Sequence, residues 1–211
     1  MKKIFDQIES LELTLQVVKD LLDDSNKEEH NYCMGMAAYE LKFFDDAVQL
    51  LQDSFRSSPS AETAIRLAMS NLSLDSYLES EKWVDKALEI DDAGSFKALV
   101  LGSEHAYLSV KARIKYETGF LELAMRLAEA ALTIVPNDIM SLTIMGKISL
   151  HLNNPEAALP FFRKAKDVAP NCLKNDVQHN IDIAENFEQA NKSLSAFSLD
   201  RVLMSHREML V

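Results

Sequence analysis

The sequence predicts an all-α chain folded as an α-solenoid, a right-handed superhelix of about four stacked helical hairpins with flanking helices at both ends. Three features lead there. Small residues recur at fixed spacing along the middle of the chain. Apolar stripes with helical period separate short turns. Gly and Pro number only five each in 211 residues, too few turn formers for a sandwich or barrel of this length.

Residues 1–27 carry the first stripe, at Ile4, Ile8, Leu11, Leu15, Val18 and Leu22, with alternating steps of four and three. One reading is a helix that packs on the first hairpin and closes that end of the stack. The other is a helix for dimerisation, giving a homodimer through residues 4–22, or for docking a client. A second stripe at Leu13, Val17 and Leu21 makes burial on two sides credible.

The repeat itself begins with Gly35, Ala47, Ser54 and Pro59, spaced 12, 7 and 5 residues apart. The same spacings recur at Ala68, Ser80, Ala87 and Asp92, at Ala112, Ala124, Ala131 and Pro136, and at Gly146, Ala158, Ala165 and Pro170. Successive copies are offset by 33, 44 and 34 residues. Two helices of a hairpin cross closely only where side chains are small. One small residue on the first helix and two on the second, two turns apart, meet that need. Larger residues such as Leu51, Val84 and Phe162 fill the gaps. The closing Pro or Asp ends the second helix. Pro136-Asn137-Asp138 reads as such a stop followed by a capping residue. Asn154-Pro155-Glu156 reads as a start: cap, Pro at the first helical position, then an acid near the positive helix end. The copies occupy residues 28–61, 61–94, 105–138 and 139–172.

Ten extra residues, 95–104, separate the second and third copies. Ser95 to Leu101 reads as helical, so the first helix of unit three is expected to start early; an exposed loop is the alternative. Residues 173–211 carry Val177, Ile181, Ala184, Phe187 and Leu194 at helical spacing, a helix that caps the far end, followed by a weaker one from about Leu199 to Met209.

This pattern resembles the tetratricopeptide repeat, a helix–turn–helix unit of 34 residues. Residues 139–172 match best, and 61–94 are degenerate, with Ser80 and Asp92 in place of the usual Ala and Pro. The resemblance covers roughly two thirds of the chain. It implies a concave face built from the first helix of each hairpin. On that register the groove residues are Tyr32, Met36 and Tyr39, then Ile65, Arg66 and Met69, then Ser109, Arg113 and Tyr116, then Thr143, Lys147 and His151. Tyr and Arg are enriched where proteins meet, and Met adapts to irregular partners. Some family members grip a C-terminal carboxylate with a Lys/Asn/Arg clamp; here Tyr32, Met36, Ala106 and Val110 occupy the positions that clamp requires.

Composition narrows the function. The formal net charge is −11, with 33 acids against 22 bases and no basic run. Phosphate-binding surfaces need clustered Lys and Arg, so nucleic acid and anionic membrane are poor partners. No apolar run reaches membrane-spanning length. Cys33 and Cys172 are read as reduced thiols in a cytoplasmic protein. No glycine-rich phosphate loop, nucleophile elbow or metal-ligand cluster stands out; His30 and Cys33 alone are too few for zinc. The expectation is therefore a scaffold or adaptor that is not an enzyme, needs no cofactor or metal, and binds a peptide or helical segment of a partner protein. The alternative is a dedicated chaperone for a secreted client, of the type III secretion kind.

Overall fold

The computed structural model describes residues 16, 30–98 and 102–208. Among these, four helical hairpins follow one another. They are α1 (His30–Glu40) with α2 (Phe44–Ser57), α3 (Ala61–Ser73) with α4 (Tyr77–Ile90), α5 (Tyr107–Glu117) with α6 (Leu121–Ile134), and α7 (Ile139–His151) with α8 (Pro155–Val168). Strands β1 (Ser95–Lys97) and β2 (Glu104–Ala106) form an antiparallel pair between α4 and α5. A long helix, α9 (Asn171–Glu208), ends the described chain.

The small residues sit where the helices of each hairpin press together. A Cβ added to Gly35 would lie 2.7 Å from Leu51 Cγ, and one added to Gly146 would lie 2.4 Å from the Phe162 ring. Both distances are well inside van der Waals contact, so only glycine admits these neighbours. In the second hairpin, Ser80 Oγ donates to the Ala68 carbonyl at 2.7 Å. That bond satisfies a buried hydroxyl while tying α4 to α3. Ala47, Ala68, Ala87, Ala112, Ala124, Ala131, Ala158 and Ala165 are all fully buried.

The turns repeat with the same period. Seven residues after each of Gly35, Ala68, Ala112 and Gly146, the backbone enters the left-handed region, at Lys42 (φ 65°), Asp75 (φ 55°), Gly119 (φ 84°) and Asn153 (φ 58°). Gly adopts this conformation without strain, and Asn and Asp tolerate it; Lys42 bears the largest steric cost. Caps follow the sequence signals. Asp138 accepts hydrogen bonds from Met140 N and Ser141 N, and Asn154 accepts one from Ala157 N ahead of Pro155.

Two segments differ from the sequence expectation. Ser95–Lys97 is a strand, not an early turn of α5. Only Phe96 of the three is buried, a period of two that suits a strand. Its ring stacks on Tyr107 with centroids 6.3 Å apart. At the far end, the capping helix and the weaker helix after it form one continuous α9. Val177 packs with Ile139, Leu142 and Ala165, and Ile181 and Ala184 pack with Ala158, Leu159 and Phe162. Phe187 remains 40% exposed. The N-terminal stripe lies outside the described residues.

Replacing Gly146 with Ala should destabilise the fold by about 1–3 kcal/mol through overpacking against Phe162. The double variant Gly146→Ala, Phe162→Leu should recover part of that loss. Thermal unfolding followed by circular dichroism measures both.

Candidate partner-binding groove

The first helices α3, α5 and α7, the end of α1, the β1–β2 hairpin and the start of α9 enclose a groove of about 540 Å³. Six of the sequence-predicted residues line it: Tyr39, Met69, Arg113, Tyr116, Thr143 and Lys147. They share its wall with Glu40, Glu117, Met140 and Ile144 from the same helices. Stacking brings these side chains together from residues more than a hundred positions apart.

The other six predicted residues are elsewhere. Met36, Ile65 and Ser109 have no exposed surface and belong to the core. Met36 packs with Leu51 and Leu67, and Ile65 packs in the cluster that holds Val84 and Val110. Ser109 Oγ donates to the Ala106 carbonyl at 2.8 Å. These positions point at neighbouring helices because a first helix inside the stack is contacted from several sides. Arg66 is only 5% exposed. Its Nη2 donates to Glu62 Oε1 at 3.1 Å and to the Lys97 carbonyl at 2.7 Å, and its guanidinium lies 5.1 Å from the Phe96 ring centroid. Tyr32 is half-buried and donates to the same Glu62 oxygen at 3.0 Å. Arg66 thus secures the inserted hairpin and does not face the groove. His151 is exposed beside the groove, its Nε2 3.2 Å from Tyr116 Oη.

Sequence reasoning missed the walls that come from outside the repeat. Phe96, Ala98 and His105 enter from the insertion, and Leu173, Asp176, Val177 and Asn180 from α9. Spacing within the repeat carries no signal for either; the i, i+4 pair Leu173 and Val177 was the available hint.

Asp138 holds the insertion in place. It is fully buried and caps α7. The same carboxylate accepts from His105 Nδ1 at 2.9 Å and from Ala106 N at 3.0 Å. Ser103 Oγ lies 2.9 Å from His105 Nε2. The order Ser–His–Asp is that of a hydrolase relay. Here Asp138 is committed to three backbone N–H groups, and Ser103 is not part of the groove wall. The constellation works as an anchor joining the hairpin to the start of α7.

The groove is mixed in charge. Burial raises the Glu40 carboxyl above the ordinary glutamate range, with the Arg66 charge pulling the other way. Burial likewise raises the phenols of Tyr39 and Tyr116. Arg113 Nε sits 3.8 Å from Glu117 Oε1, a loose pair worth at most about 1 kcal/mol. Lys147 Nζ lies 5.8 Å from the Tyr116 ring centroid. Met69, Phe96, Met140, Ile144 and Val177 add apolar side chains to the same lining.

Residues 141–172 match the tetratricopeptide-repeat family profile. Solved solenoids of that kind share the architecture. The chain thus carries one recognisable tetratricopeptide repeat and shares the fold of such solenoids. A chain of the APC/C hetero-tetramer Cut9–Hcn1 superposes with a TM-score of 0.68 at 15% identity, covering 86% of this chain and 34% of that one. Yeast Tom70 superposes with a TM-score of 0.62 at 19% identity, covering 89% of this chain and 39% of Tom70. MamA gives a TM-score of 0.53 at 18% identity, covering 71% and 83%. At such identities the likeness concerns the fold. The repeat protein described here thus spans well under half the length of the first two. No curated protein matches the chain. Among the described residues no helix is long and apolar enough to cross a membrane.

Two outcomes follow from the anchor and the raised carboxyl. Asp138→Ala removes a helix cap and strands two buried N–H donors, so it should cost about 2 kcal/mol or more in urea unfolding. It should also speed amide exchange in Phe96 and His105. For Glu40, the unfolded carboxyl ionises at lower pH than the folded one, so the wild type loses stability as pH rises through and above the ordinary glutamate range. Glu40→Gln should therefore gain stability relative to wild type at neutral pH and show no such gain in acid below that range, as measured by melting temperature across pH.

Proposed function

We propose that this protein is a non-catalytic interaction scaffold that holds a peptide or helical segment of a partner protein in the groove. The supporting observation is the groove itself: apolar side chains from α3, α5 and α7, flanked by charged groups, in a concavity large enough for one bulky side chain and its neighbours. The Cut9–Hcn1 relative is itself part of a hetero-tetramer, which agrees with a role in an assembly. 

The groove's chemistry describes the partner segment. An aromatic or branched aliphatic anchor fits among Met69, Phe96, Met140 and Ile144. Arg113 and Lys147 favour an acid on one side of that anchor. Glu40 favours a hydrogen-bond donor or a base on the other. Burying the anchor contributes about 1.5–3 kcal/mol, and the flanking groups select among partners.

Peptides selected from a random library against the wild-type protein test this reading. In fluorescence polarisation, Thr143→Arg, which fills the groove, and the pair Arg113→Ala, Lys147→Ala should each weaken binding by at least about tenfold. Helicity should remain unchanged. Equal affinity for wild type and the Thr143→Arg variant would contradict the groove as the binding site.

A further inference from the structure

The groove meets a bound segment with side chains and not with backbone. The carbonyls of Tyr39 and Tyr116, where α1 and α5 end in the groove wall, accept from Lys42 N and Gly119 N at 2.9 and 3.0 Å. In the insertion, Phe96 pairs with His105, and Ala98 N donates to the Ser103 carbonyl at 2.8 Å. Met140 N is taken by Asp138, and Leu173 N by the Pro170 carbonyl at 3.0 Å. Asn180 is the one amide side chain among the described residues of the lining. An extended segment needs partners for each N–H and C=O that it turns from water towards such a wall. An α-helix pairs its own backbone groups and brings only side chains.

The two rims of the groove differ. First helices that repeat in a stack run the same way, so their early turns gather on one side and their late turns on the other. On the early side the lining is mostly apolar, with Phe96 and Ala98 of the insertion, Ile139 and Met140 of α7, and Leu173 of α9. His105 there spends both ring nitrogens on Asp138 and Ser103. The late side carries Glu40, Arg113, Glu117 and Lys147. Spacing matters as well. Packed helices lie roughly 8–10 Å apart. Residues i and i+7 of an α-helix share a face and stand about 10.5 Å apart along its axis. Two turns of a bound helix therefore step from one first helix of the stack to the next.

We propose, on the reading that this groove is the binding site, that it takes its partner segment as an amphipathic α-helix laid across α3, α5 and α7. Apolar residues at i, i+3 or i+4, and i+7 of that helix face Met69, Met140, Ile144 and the insertion rim. Its charged residues lie towards Glu40, Arg113 and Lys147. The two methionines adapt to the shape of the apolar face, and the charged rim fixes which way that face is turned.

Peptides selected from a random library against the full chain test this by NMR. An isotope-labelled peptide that shifts the Met69 and Ile144 methyl signals occupies the groove, and no variant of the protein is needed to show it. Such a peptide should give helical Cα shifts over at least about two turns, with apolar residues at the stated spacing. Proline placed at a solvent-facing position in its middle should weaken binding at least about tenfold, because it breaks the helix. A peptide that shifts the groove methyls yet is extended in the complex, or binds as well with the proline, overturns the helix and leaves the groove standing. Peptides that bind without shifting those methyls take away the groove and the helix together.

Discussion

The close crossing of paired helices at small residues is the constraint on which the rest of this structure depends. Where Gly35 meets Leu51 and Gly146 meets Phe162, a single added methyl has no room. Ala and Ser take the same role in the middle hairpins, and Ser80 adds a hydrogen bond across the crossing. These contacts fix the spacing and tilt of each pair. The recurring left-handed turn residue fixes the connection. Hairpins of one shape then stack in one way, and the stack sets the first helices side by side.

The groove is only partly a product of the repeat. Two of its walls come from the β1–β2 insertion and from α9. Polar groups with few alternatives hold the insertion. Arg66 and Asp138 are both buried, and each bonds to the insertion while serving its own helix region. Burying a guanidinium is costly, and among the described residues Arg66 Nε has no hydrogen-bond partner. The Glu62 pair, the Lys97 carbonyl and the Phe96 ring offset that cost. Such an arrangement positions Phe96 and His105 at the groove instead of leaving a loose loop between units two and three.

Much of the fold was legible in the sequence because steric exclusion leaves a mark. Positions that admit only Gly, Ala or Ser recur with the period of the architecture, whatever else changes. Caps at Asp138 and Asn154 were legible for a similar reason, since a helix start leaves N–H groups that need a partner. The facing of the first helices was not. From Thr63 to Ala68, α3 is buried on every side, so periodicity cannot separate groove from core, and Met36, Ile65, Arg66 and Ser109 were misplaced by it. The run from Ser95 to Leu101 misled for another reason. A short apolar stretch suits helix or strand equally, and the pairing that decides it, Phe96 opposite His105, joins residues with no local signal. Of the residues read from the repeat register, Tyr39, Tyr116 and Lys147 are among those that line the concavity.

Methyl-labelled NMR with a library-selected peptide tests the central claim most directly. If stacking of these hairpins creates the binding surface, the peptide will shift the methyl signals of Met69, Met140, Ile144 and Val177. Those of Leu78 and Leu123, exposed and absent from the groove wall, will stay in place. Shifts at Leu78 and Leu123 with none at the four groove methyls would contradict it.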